Sequence, residues 1–149
     1  MLPKHRAAAA IFLLLVFLLY TFFNEPSLPT PYRATWRGKM SVTHTVLFQF
    51  KSDLPAAEVK AACARFLALK ETCIHPTHNG NYILSLKGGK DNSPEGLQNG
   101  ITHGFVVEFS SVEDRDYYVT NDPTHMAFVK SIEELVEKAI VVDFKNGEY

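Results

Sequence analysis

Three features of the sequence predict an α+β fold with the element order βαββαβ. Val42–Phe50 alternates with a period of two, with Val42, His44, Val46, Phe48 and Phe50 on one face and Thr43, Thr45, Leu47 and Gln49 on the other. Ile101–Phe109 repeats the arrangement, setting Ile101, His103, Phe105, Val107 and Phe109 against Thr102, Gly104, Val106 and Glu108. The segments that follow these two stretches change to helical spacing. Each strand therefore begins with a histidine in line with large apolar side chains. That pairing predicts an apolar pocket with a polar mouth.

Before the first strand come residues 1–6, a short flank holding Lys4 and Arg6, and then residues 7–23, which carry no charge. As a helix the uncharged run would span about 25 Å, against a bilayer core of roughly 30 Å. Phe22-Phe23-Asn24-Glu25-Pro26 offers no small-residue cleavage site, and the run has no polar stripe. A single-pass membrane anchor is the expectation, with Tyr20 at the interface. Basic residues on both flanks leave open which membrane it enters and which side the domain faces. Residues 24–39 include Pro26-Ser-Leu-Pro-Thr-Pro31, which reads as an extended spacer. Residues 40–146 form the folded domain.

Within it, Ser52-Asp-Leu-Pro55 opens a helix in which Val59, Cys63, Phe66 and Leu67 recur at helical spacing up to about Thr72. His75-Pro-Thr-His78-Asn-Gly80 ends it. Tyr82–Lys87 is the second strand, with Tyr82, Leu84 and Leu86 opposite Ile83 and Ser85, and Gly88–Gly100 is a long polar loop. After the 101–109 strand, Ser111-Val-Glu-Asp114 caps a helix carrying Tyr117, Tyr118 and Val119. Asn121-Asp-Pro-Thr124 interrupts that helix. A further helix sets Phe128, Ile132, Leu135 and Val136 on one stripe with Glu133, Glu134, Glu137 and Lys138 outside, and Ala139–Phe144 is the last strand.

This order is the ferredoxin-like pattern, with helices on one face of the sheet. The first and third strands are expected at its centre as parallel neighbours, which would set His44 and His103 side by side under the helices. The other face, with Thr45, Leu47, Gln49, Val106 and Glu108, has no helix to cover it and invites a second copy of the chain.

The net charge of −1 conceals an asymmetry. Residues 1–39 hold five basic residues and one acidic residue, so they carry +4, and residues 40–149 carry −5. An acidic domain argues against a nucleic-acid partner, which would need clustered Lys and Arg. Cys63 and Cys73 on one helix would lie roughly 15 Å apart, too far to bridge, so free thiols are expected. No cofactor is expected, because Gly88-Gly89 lacks the spacing and following helix of a phosphate cradle. No metal is expected either: His75-x-x-His78 has metal-like spacing but no cysteine or carboxylate beside it.

Four blocks resemble the stress-response dimeric α/β-barrel (A/B barrel) domain family: Val42–Phe50, Gly100–Phe109, Asp122-Pro-Thr-His-Met-Ala-Phe128 and Val141-Val-Asp-Phe144. The resemblance covers about residues 40–146 and implies a homodimer that packs through its sheet face. One family member, plant olivetolic acid cyclase, closes a linear polyketide by aldol condensation. By motif, its site residues fall on His44, His103, Tyr118 and His125, with neighbouring Tyr117 a second candidate for the tyrosine. Asp122 stands where the cyclase motif has histidine.

The resemblance thus implies His125 as the base that takes a proton beside a carbonyl, Tyr118 as the group that polarises the developing enolate, and His103 and His44 as orienting groups. Phe48, Phe105, Val107, Tyr117 and Phe128 would line the pocket. Each histidine taken alone also reads as a hydrogen-bonded cap. Three readings follow: a membrane-anchored domain that binds a small, apolar, carbonyl-bearing molecule; a polyketide cyclase or lyase type of enzyme; and a non-catalytic, stress-induced dimer.

Overall fold

A computed structural model describes residues 41–77 and 79–149. The predicted anchor at 7–23, its flanks and His78 lie outside the described residues. Among the described residues no helix is long and apolar enough to cross a membrane. The elements are β1 (Val42–Phe50), α1 (Ala56–Thr72), β2 (Ile74–His75), β3 (Gly80–Asn81), β4 (Ile83–Lys90), β5 (His103–Phe109), α2 (Val112–Thr120), α3 (Pro123–Ile132) and β6 (Val136–Lys145). β2 and β3 form a small hairpin where a plain loop is expected; the other elements form the βαββαβ framework.

The main sheet has the order β4-β5-β1-β6, and every neighbouring pair in it is antiparallel. The two central strands are therefore not parallel, as the sequence reading has them. A helical crossover keeps β1 and β4 in one direction, and the β4–β5 turn then reverses β5. The consequence for the site is large. His44 pairs with Val107, and His103 pairs with Phe48, four residues further along β1. At about 3.3 Å per residue, roughly 13 Å of strand separates the two histidines.

Alternation along both central strands follows the predicted period. In β1 every second residue from Val42 to Phe50 is buried, and in β5 Phe105, Val107 and Phe109 are buried. The core lies between this face and the helices, where Phe66 of α1 meets Phe105 at 4.4 Å and stacks on Phe128 of α3 at 4.8 Å.

Several boundaries differ from the sequence reading, β5 starting at His103 rather than Ile101 among them. β4 loses its period at Leu84, where the register slips between Ile83 and Ser85, so Ile83 is buried and Leu84 is 54% exposed. β4 also continues through Gly88-Gly89 as strand, because a Cβ at Gly88 would fall 2.2 Å from Phe105 Cδ1; only glycine passes under that ring. α3 stops at Ile132, and Leu135 and Val136 leave its stripe. The Lys51 amide donates to Leu135 O at 3.0 Å and Val136 pairs with Phe50, which starts β6 three residues early.

The predicted cap at Ser111 is present, its hydroxyl accepting from the Asp114 amide at 3.1 Å. Ser111→Ala is expected to cost about 1 kcal/mol, read as a lower midpoint of urea unfolding with an unchanged slope.

Candidate functional site

The strands and helices converge on a groove of about 900 Å³ between α3 and β6. Its existence follows from the sheet order. β6 is an edge strand at the margin of the helix layer, so Val141, which pairs with Val46 on the helix-facing side of the sheet, stays 54% exposed. Val46, Phe48, Phe66, Phe128 and Ile132 supply its apolar wall, and His44 and His125 stand together at one end.

His44 is 5% exposed, and its Nδ1 lies 2.6 Å from Asp143 Oδ1, since β6 sets Asp143 directly across from it. A carboxylate can only accept, so Nδ1 carries a proton, and Nε2 is the ring nitrogen left free of it. The other oxygen of Asp143 accepts from the Arg115 guanidinium, which also bonds Asp116 at 2.8 Å. Sequence reasoning missed Asp143 and Arg115. A signal for Asp143 was available: it is the one charge in Ile140-Val-Val-Asp-Phe144, and an antiparallel β6 beside β1 places it opposite His44.

His125 is delivered by the first turn of α3, held by Asp122, whose Oδ1 accepts from the Thr124 amide at 2.8 Å and the His125 amide at 3.0 Å. The second oxygen of Asp122 accepts from the buried Tyr82 hydroxyl at 2.6 Å. The residue in place of the cyclase histidine is thus a helix cap tied into the core. Beside it, burial and the Asp122 charge push the Cys73 thiol up to about 12, so it stays protonated and inert. Both cysteines are free.

Burial, with His44 close by, lowers the His125 imidazole to about 4, so it is neutral at physiological pH. Tyr118 sits behind it, with ring centroids 3.9 Å apart, and is fully buried. Burial raises its phenol well above the usual tyrosine range, with the Asp122 charge adding to this. Tyr118 Oη is buried without a hydrogen-bond partner among the described residues, an arrangement that costs about 1–3 kcal/mol.

The structure therefore brings together His44, Tyr118 and His125, and sets His103 apart. At the far end of β1, His103 Nδ1 lies 3.0 Å from Thr102 Oγ1, and its ring packs edge-on to Phe50 at 5.1 Å. Of the predicted lining, Phe48 and Phe128 face the groove. Phe105 and Val107 are core residues, 1% and 0% exposed. Tyr117, the alternative to Tyr118, turns the other way onto His75 and Tyr82.

No curated protein matches the chain. Among solved structures, one from Arabidopsis thaliana is 27% identical over 72% of this chain and 97% of its own, with a TM-score of 0.62. The hydroxynitrile lyase of Passiflora edulis is 25% identical over 74% of this chain and 97% of its own, with a TM-score of 0.64. A Dabb-family protein of Mesorhizobium loti with a ferredoxin-like fold is 24% identical over 70% and 95%, with a TM-score of 0.54. Residues 42–146 match the model of the stress responsive A/B barrel domain, the stretch that carries the whole sheet, its helices and the groove. The chain belongs to the stress responsive A/B barrel domain family.

Proposed function

We propose that the groove between α3 and β6 binds a small, largely apolar carbonyl compound, and that His44, backed by Asp143, moves a proton at the carbon beside the carbonyl. The observation that carries this reading is the 2.6 Å His44–Asp143 contact at the polar end of an apolar groove. Asp143 holds the ring in the tautomer with a free Nε2 and stabilises the imidazolium that forms when Nε2 takes the proton. The electron pair left on carbon moves onto the carbonyl oxygen as an enolate. His125 is a weak base at about 4 and is suited instead to hydrogen-bonding that oxygen as a neutral imidazole. Return of the proton to carbon completes an exchange. In a lyase step the enolate instead expels a leaving group that takes the proton, and in a cyclase step its carbon bonds to a second carbonyl whose oxygen takes the proton. The likeness to a hydroxynitrile lyase supports a catalytic reading of the groove.

Nonan-2-one in D2O tests the reading. The wild-type chain is expected to bind it saturably and to speed deuterium uptake beside the carbonyl, and His44→Ala is expected to lose about 10²–10⁴ of that rate while still binding. Asp143→Asn keeps the shape and is expected to fall between the two, because an amide can hold the wrong tautomer. Binding without exchange in the wild type would leave a ligand-binding protein. No binding at all would remove the site.

The open sheet face supports a homodimer. Val142 and Phe144 are 53% and 48% exposed there, on the side of Leu47 and Ile140. Neighbours from Bacteroides fragilis and Jannaschia are described as dimeric. Phe144→Glu is expected to shift the chain to monomer in analytical ultracentrifugation. The uncharged run 7–23 supports a membrane anchor: the full chain is expected to stay with membranes through an alkaline carbonate wash, and a chain lacking residues 7–23 is expected to wash off.

A further inference from the structure

A second cavity, of about 850 Å³, opens at the opposite end of the β1–β5 pair and shares only Glu137 with the groove described above. One wall is a stripe of α1, with Val59, Cys63 and Leu67 in successive turns; Leu67 is 38% exposed although nothing polar is gained by that exposure. β4 contributes bare backbone at Gly88 and Gly89. Phe50 and His103 also line it, and Lys90 is the cross-strand partner of His103.

The mouth is cationic. Lys51, Lys60 and Lys90 surround it, in a domain that is acidic overall. Its one carboxylate, Glu137, accepts from Gln49 Nε2 at 3.1 Å, and Lys51 has a second neighbour in Glu134 at 3.8 Å. Lys60 and Lys90 make no ion pair among the described residues. An apolar slot of this size, with two unpaired cations in its lining, selects for a ligand with one greasy and one anionic end. We infer that the chain has a second ligand site, distinct from the His44 groove, which takes an amphipathic organic acid with its tail along the Val59–Cys63–Leu67 stripe and its anionic head between Lys60 and Lys90.

Cys63 provides a local reporter, since it lies in the wall and is half-buried, whereas Cys73 is fully buried in the core. With the full chain and dodecanoate as probe, alkylation of Cys63 by N-ethylmaleimide, read by peptide mass mapping, is expected to slow about tenfold at roughly ten times the Kd. Dodecyltrimethylammonium at the same concentration is expected to leave the rate unchanged. The double substitution Lys60→Glu with Lys90→Glu is expected to weaken dodecanoate by at least about tenfold. Because both positions are exposed, folding should persist, which thermal unfolding would verify. His44→Ala is expected to bind dodecanoate as the wild type does, so this site can stand or fall without the other. The inference is overturned if dodecanoate leaves Cys63 alkylation unchanged, if the cationic probe protects equally, or if His44→Ala rather than the lysine pair abolishes protection.

Discussion

Phe66→Ala is expected to destabilise the domain by about 3–5 kcal/mol, a large part of the roughly 5–15 kcal/mol that holds an average domain together. Phe66 is 2% exposed and is the meeting point of three elements besides its own. Its ring lies 5.7 Å from Phe48 of β1, 4.4 Å from Phe105 of β5 and 4.8 Å from Phe128 of α3. Those neighbours come from the sheet centre and a helix, so backbone hydrogen bonding keeps them from collapsing into the space a truncated side chain would leave. The penalty therefore includes the cavity as well as the lost burial. Urea unfolding at unchanged slope measures it, and a loss under about 1 kcal/mol would mean that α1 can settle onto the sheet without this ring. Phe66 also forms part of the groove wall, so the same variant is expected to bind nonan-2-one more weakly, through the loss of its apolar floor.

The fold was legible in the sequence because β1 and β5 state their period twice. The inward residues Val46, Phe48, Phe105 and Phe109 are buried as the alternation demands. Helix starts were equally legible where a side chain commits itself locally, at Ser111 and at Asp122-Pro123. What failed to show was anything decided between distant segments. Strand direction is a property of the crossover rather than of the strand, so the separation of His44 from His103 was hidden. The bulge at Leu84 and the early start of β6 at Val136 are register events, set by cross-strand partners Glu108 and Phe50. The candidate site was therefore half visible. His44, Tyr118 and His125 converge, but Asp143, which gives His44 its tautomer, becomes identifiable only once β6 is laid antiparallel beside β1.

Acid is expected to destabilise the domain through His125. Its folded imidazole, buried behind α3 and next to His44, titrates at about 4, against the ordinary value of 6.5. Between those values the unfolded chain binds a proton that the folded chain refuses, so stability falls as pH drops from about 6.5 towards 4 and is flat above that window. At about 1.36 kcal/mol per unit, and discounting for the part of the ring that solvent reaches, the loss is on the order of 2–3 kcal/mol. Burial and Lys90 lower His103 as well, which adds a smaller loss of the same sign. The groups facing His125 are His44 from β1, Tyr118 from α2 and Asp122 at the helix cap. Of these, the Asp122 charge opposes the shift. His125→Gln removes the titrating ring while keeping a polar side chain of similar reach. Its unfolding free energy at pH 5 relative to pH 7.5 is expected to change by less than half the wild-type difference. An unaltered pH profile in that variant would place the acid sensitivity elsewhere and would mean that the His125 ring is hydrated rather than sealed against Tyr118.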